Sequence, residues 1–566
     1  MKSRTIFSYG FLLLVFACFS CFFFWPILIV IKGGFLDASN SFTFSYVAEV
    51  FRNPIYLDGL INALGLGAFT TLVSLIIATP LAYVSDRYDF LGKKIFSTLI
   101  LLPIMLPPFV GAIGIRQILG QYGVLNSFLE VVGILQDGQT IDWLGEGRFW
   151  GMVVLSALSL YPIMYLNLLA SFAQIDPAME EAASNLGASR WKKFWNITFP
   201  LVRPGMFAGC TIVFIWSFTE LGVPLVFDYD RVISVQIFKG IKEIGGNPFP
   251  YAMVGIMLFV SALAYLIGKK FLGGGAYAMM SKASHAGGAK HLSWKGQTLC
   301  FSLFAGVTFV ALLPHLTLLL VSFSNGWFDT VFPESLTLNN YRLALGNGLT
   351  VPSIQNSLLY SSLATLLNIA FGIAIAYILV RSNIKGKQFL DVCVMLPLAV
   401  PGIVIAFGYL AMTQKGQLFE ALNPVQNPTL LLIIAYAVRK LPFVVRSAVA
   451  GLQQSSVVYE EAAQNMGCSP FKTAWKITFP LIAASLIAGG MLAFSQSMLE
   501  VSDSLMLAQK QEFYPITKAI YELLGFLGDG RFVASALGVW AMFFLALTIF
   551  GANRILGKKL GSVFRI

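Results

Sequence analysis

The chain has 566 residues, of which 57% are hydrophobic and only 11% charged, and its mean hydropathy is +0.76. That composition excludes a soluble multidomain protein and describes one that crosses a bilayer many times. The formal charge of +11 is not a nucleic-acid signal, because the basic residues fall beside apolar stretches, where membrane orientation places them; nucleic acid is excluded as a partner and the lipid bilayer is implied.

Apolar stretches long enough to cross a hydrocarbon core are predicted near 11–31, 60–85, 95–119, 149–174, 203–227 and 251–272. A second set follows near 297–322, 354–381, 388–413, 428–452, 483–507 and 532–556. The first stretch follows Lys2 and Arg4, lacks a convincing small-residue cleavage site and reads as a retained signal anchor. The expectation is an all-α integral membrane protein with twelve transmembrane helices in two tandem six-helix repeats. Residues 1–275 form the first repeat, 276–295 a cytoplasmic linker rich in glycine, alanine and lysine, and 296–566 the second repeat.

The two sets correspond residue by residue. Asn62, Tyr83, Arg87, Pro103, Pro107 and Gly114 fall opposite Asn356, Tyr377, Arg381, Pro397, Pro401 and Gly408 at an offset of 294. The offset then drops to 280, which places a deletion in the loop between the third and fourth spans of the second repeat.

Between the fourth and fifth spans each repeat carries one stretch, EEAASNLGASRWKKFWNITFPL from Glu180 and EEAAQNMGCSPFKTAWKITFPL from Glu460, identical at 14 of 22 positions. The loops 176–201 and 456–481 each read as a short helix, a glycine turn and a second helix entering the membrane. Asp176 before Pro177 is an N-cap, and Ser456 takes the same place in the second copy. Gly187 and Gly467 stand where a left-handed cap belongs, Ser189 and Ser469 cap the next helix, and Pro200 and Pro480 predict a bend. Helices this short need a partner surface.

This E-A-A pattern with its glycine resembles the cytoplasmic coupling motif of permease subunits in binding-protein-dependent ABC importers. Two copies in one chain resemble the fused permeases of the ferric-iron-transport type. The resemblance implies a type I ABC importer permease fold in the bacterial inner (cytoplasmic) membrane. It also implies that Glu180, Glu181, Ala182, Ala183 and Gly187, with Glu460, Glu461, Ala462, Ala463 and Gly467, meet two copies of an ABC ATPase subunit. The implied solute is ferric iron, delivered by an extracytoplasmic solute-binding protein. A phosphonate, phosphate ester or polyamine is the alternative cargo, and a secondary transporter with two parallel repeats is the alternative of another class.

No G-x-x-x-x-G-K-[ST] loop, metal-ligand spacing or catalytic triad occurs. The chain is therefore expected not to be an enzyme and to bind no cofactor or metal, with ATP and Mg held by the partner subunit. Lys and Arg outnumber on the segments left inside when the N-terminus is cytoplasmic, so both termini and both E-A-A loops are expected in the cytosol.

Charges inside spans are the exceptions that call for an account. Glu220 and Glu500 match at the 280 offset in the two fifth spans. With Asp503 they are candidates for the substrate pathway, or each caps a helix break beside Gly222 and Pro224 or beside Ser502. Arg439, about midway along the tenth span, is a further pathway candidate, whereas Lys440 and Arg446 are expected to snorkel. Gly205-x-x-x-Gly209 and Ser485-x-x-x-Gly489 predict close helix packing.

Overall fold

The computed structural model describes residues 2–37, 41–105, 107–144, 148–244, 246–271, 290–382 and 384–556. Most of the expected linker, 276–289, lies outside the described residues. Regular structure is helical, apart from a two-residue parallel pairing of Tyr88–Asp89 with Lys290–His291.

Among the described residues nine helices are long and apolar enough to cross a membrane, and eleven if each of two bent pairs is one span. The bent pairs are the third spans. Lys387–Ala399 turns by 98° into Gly402–Met412, and Lys93–Ile104 turns by 95° into Pro108–Val131. Pro401 and Pro107 stand in the breaks, and each lacks the N–H a continuous helix would need. The expected count of twelve therefore stands at eleven by length and apolarity. The remaining helix, Thr429–Gln454, has 26 residues but carries Arg439, Lys440 and Arg446.

The chain forms two compact units, and they do not follow the repeats. One holds residues 1–54, 236–258 and 341–564, so the first span sits with most of the second repeat. In it the helices Thr350–Arg381, Thr429–Gln454 and Phe479–Met498 pack together, Trp25–Phe35 lies along Gly402–Met412, and Lys2–Phe19 meets Thr350–Arg381 and Lys387–Ala399. A π-helical turn, Ser20–Phe24, interrupts that first span, and Tyr409 Oη donates to the carbonyl of Phe22 at 2.6 Å. A Cβ at Gly408 would stand 2.7 Å from Pro26 Cβ, so glycine there permits the close approach.

The other unit holds 55–235 and 259–340. Its core joins Leu81, Phe90, Tyr161, Tyr165 and Phe304, and Tyr165 Oη donates to Ser85 Oγ at 2.9 Å. The predicted small-residue ridges are used as close contacts in each unit. Gly209 faces Met164 of the helix Phe149–Phe172, and Gly489 faces Ser447 of Thr429–Gln454, where an added Cβ would come within 2.7 and 2.6 Å.

Candidate functional site

The two E-A-A loops form the helices Pro177–Asn185 and Val458–Asn465. Asp176 caps the first, its carboxylate accepting from the Ala178 N–H at 2.9 Å. The second begins one residue later by the repeat offset. Val457 is its N-cap, and Ser456 Oγ accepts from the Val458 N–H at 3.4 Å, a weaker arrangement than the match with Asp176 predicted. Proline explains the difference, since Pro177 is pre-set for the first helical position.

Gly187 and Gly467 adopt φ of 78° and 86°. Around each, the same pair of bonds closes the helix. Gly187 N–H donates to Ser184 and Ala188 N–H to Ala183, and Gly467 N–H donates to Gln464 and Cys468 N–H to Ala463, all at 2.9–3.0 Å. This is the doubly bonded C-terminal cap that only a left-handed residue allows without cost. Ser189 and Ser469 accept from the N–H groups of Lys192 and Lys472 at 3.3 Å, starting the next helix.

Helical structure runs on through Pro200 and Pro480, where a bend is expected. A π-helical turn precedes each, at Phe194–Thr198 and Ala474–Thr478, and the helix continues into Phe199–Phe218 and Phe479–Met498. Shifting the bond register by one residue accommodates the proline that cannot donate. Pro470–Met498 thus runs as one 29-residue helical rod, about 43 Å at the standard rise.

Each loop is tied back to its second span. Arg87 Nη2 donates to Glu180 Oε1 at 2.7 Å, and Arg381 Nε donates to Glu460 Oε1 at 3.1 Å. Arg381 Nη2 also reaches the Ser455 carbonyl at 2.7 Å, while Thr198 donates to Glu180 at 2.9 Å. The sequence pairs Arg87 with Arg381 by offset but gives no sign of their glutamate partners, which are 93 and 79 positions away. Glu181, Glu461, Ala182 and Ala462 are exposed, Ala183 is half-buried and Ala463 buried. Leu186 and Met466, equivalent residues at the helix ends, are 88% and 81% exposed, and Trp191 and Phe471 beyond them are exposed as well. An apolar surface of this kind at matching places on two loops has the character of an interface core.

The charged residues inside spans divide. Arg439, Glu500 and Asp503 are brought together with Lys440. Arg439 Nη1 pairs with Glu500 and lies 3.1 Å from Asp503 Oδ2, and Lys440 Nζ lies 2.7 Å from Glu500 Oε2. Lys440 therefore does not snorkel; it is buried in a cluster with two cations and two carboxylates. Mutual pairing is what makes four charges tolerable there. Arg446 lies apart, 3.3 Å from Asp391. Glu220 belongs to the other unit, where Oε1 accepts from the N–H groups of Gly222 and Val223 at 3.0 and 3.2 Å and caps the short helix Gly222–Val226. Among the described residues no group of three or more His, Cys, Asp or Glu is placed to hold a metal ion.

A family model described as binding-protein-dependent transport system inner membrane component matches residues 74–273 and again 368–561. The chain is 32% identical over 467 residues to the ferric transport system permease protein FbpB of Actinobacillus pleuropneumoniae, covering 81% of this chain and 64% of that one. It therefore spans just under two thirds of that relative's length. It is 32% identical over 471 residues to the putative ferric transport system permease protein FbpB 1 of Haemophilus influenzae, covering 81% and 70%. The spermidine/putrescine transport system permease protein PotB of Haemophilus influenzae is 29% identical over 249 residues, 43% of this chain and 86% of that one.

Proposed function

From the premise that this chain belongs to the family of inner membrane components of binding-protein-dependent transport systems, we propose that it is the fused permease of an ATP-driven importer. In this reading it receives ferric iron from an extracytoplasmic binding protein. Two copies of an ABC ATPase hold the ATP and Mg and dock on the two loops from the cytosol, where both termini also lie.

The observation that carries the reading is the pair of loops, alike in C-terminal cap, glycine conformation, arginine tie and exposed apolar residue. A docked subunit moving the helix Pro177–Asn185 or Val458–Asn465 pulls on two things at once. The Arg–Glu tie passes the movement to the second span, and the glycine turn passes it to the fifth helix. Because that helix is continuous through its π-turn, displacement at the loop reaches its far end, where it breaks before Glu220 or Glu500. Burying Leu186 and Met466 against the ATPase would contribute about 2 kcal/mol each.

Ferric iron is chosen because the relatives matching most of the chain are named ferric transport permeases. The test is uptake by proteoliposomes holding this chain, its ATPase and its binding protein. Ferric uptake that requires ATP and is blocked by vanadate is expected. Uptake of a polyamine, phosphonate or phosphate ester instead would replace the cargo, and uptake driven by an ion gradient without ATP would replace the mechanism.

A further inference from the structure

On the face opposite the coupling loops, each fifth helix is followed by a short segment, ISVQIF from Ile233 and ITKAIY from Ile516. Their register is fixed by equivalent bonds. Ser234 Oγ donates to the Glu220 carbonyl at 2.6 Å, and Thr517 Oγ1 donates to the Glu500 carbonyl at 2.8 Å. Phe238 and Tyr521 are therefore equivalent residues of the two repeats, and both lie in one compact unit. Their rings meet edge to face, with centroids 6.3 Å apart and an interplanar angle of 88°. Equivalent residues of two repeats touch each other only close to the axis that relates the repeats.

A cation, Lys518, sits on this ring pair. Lys518 Nζ lies 5.8 Å from the centroid of Phe238 and 5.4 Å from those of Tyr514 and Tyr521, and 2.8 Å from Glu522 Oε1. Lys518 is 8% exposed, so its ammonium is held in a largely desolvated cage, where attraction to ring faces is at its strongest. The equivalent position in the first repeat is the fully buried Val235.

We propose that Phe238 and Tyr521 form the closed outer gate of the pathway, and that Lys518 is the clamp that holds it shut. The proposal rests on the transport reading above, because a pathway along the axis between parallel repeats must pass between their equivalent residues. Opening parts the two rings and takes Phe238 away from the ammonium, while Tyr514, Tyr521 and Glu522, on the same stretch as Lys518, keep it paired. Separating one ring from a caged cation is a small cost, suited to a contact remade in every cycle.

The experiment uses Phe238→Cys with Tyr521→Cys in the assembled complex, with the native cysteines replaced, and a short bifunctional methanethiosulfonate as the probe. The link should form without nucleotide, stop uptake and be reversed by reduction. In the vanadate-trapped complex its yield should fall roughly tenfold. Lys518→Met should shift the nucleotide-free complex toward the unlinked state by about five- to thirtyfold, the range of a desolvated cation–π contact, and Lys518→Arg should restore it. Equal yield in both states, or normal uptake by the linked complex, overturns the gate. Uptake by the unsubstituted complex tests the transport reading separately. If that fails, passive thiocyanate leak from vesicles with Lys518→Met and Phe238→Ala still reads the gate, and leak no greater than that of the unsubstituted chain overturns it.

Discussion

Arg381 is bound to Glu460 with both side chains almost fully buried, at 8% and 5% exposure, whereas the equivalent Arg87–Glu180 pair is only partly buried, at 17% and 23%. The same tie therefore carries different weight in the two repeats. Removing one member of a buried pair leaves an uncompensated charge, at roughly 3–5 kcal/mol, while a partly solvated pair is worth about 1 kcal/mol. Arg381→Met should lower the melting temperature of the purified protein clearly more than Arg87→Met. Equal shifts would show that water reaches both pairs alike.

The glycines of the two E-A-A loops offer a cleaner perturbation, since a Cβ at Gly187 or Gly467 meets nothing within 4 Å. The cost of Gly187→Val or Gly467→Val is then backbone strain alone, on the order of 1–2 kcal/mol at each left-handed position. Uptake should fall while membrane insertion is unchanged, and Gly187→Asn, which tolerates that conformation, should retain most of it. Normal uptake by both valine variants would separate the turn from coupling.

Leu186 and Met466 project from the helix ends, so Leu186→Glu and Met466→Glu should leave the stability of the isolated permease unaltered. Co-purification of the ATPase should nevertheless drop about thirtyfold or more for each, because a charge replaces an apolar anchor and stays unpaired in the interface. Undiminished co-purification would place the contact elsewhere on the loops.

Glu220 and Glu500 occupy equivalent positions, but their carboxylates have different work. Glu220→Gln keeps an oxygen that can accept from Gly222 and Val223, so the bonds that start the short helix should survive it. Glu500→Gln leaves Lys440 without its counter-charge and Arg439 with Asp503 alone, and should cost roughly 3–5 kcal/mol. Thermal unfolding in detergent distinguishes them, and uptake per folded complex reports whether either also lines the pathway. Matching stability losses would contradict the different environments of the two residues.

One further measurement concerns assembly. Two coupling loops on one chain call for one permease with two ATPases, and native mass measurement of the complex should give that ratio. A complex with two permeases would contradict it.

The sequence by itself determined what is local or repeated. Apolar length gives the spans, Pro401 and Pro107 mark the broken third spans, and the positive φ at Gly187 and Gly467 is legible because one glycine recurs at the end of one short helix. The long-range pairings were decided only by the tertiary structure. Nothing in the run of residues says that Lys440 turns inward to Glu500, 60 positions away, or that Arg381 reaches Glu460. A lysine stem is long enough to snorkel or to pair, and only a carboxylate brought within 3 Å by another helix settles which. The same holds for the equivalent glutamates. Symmetry of sequence predicts like positions, but the partners at Glu500 come from Thr429–Gln454, whose charges the first repeat lacks. Physical environment, supplied by packing, makes one glutamate a helix cap and the other part of a buried charge cluster.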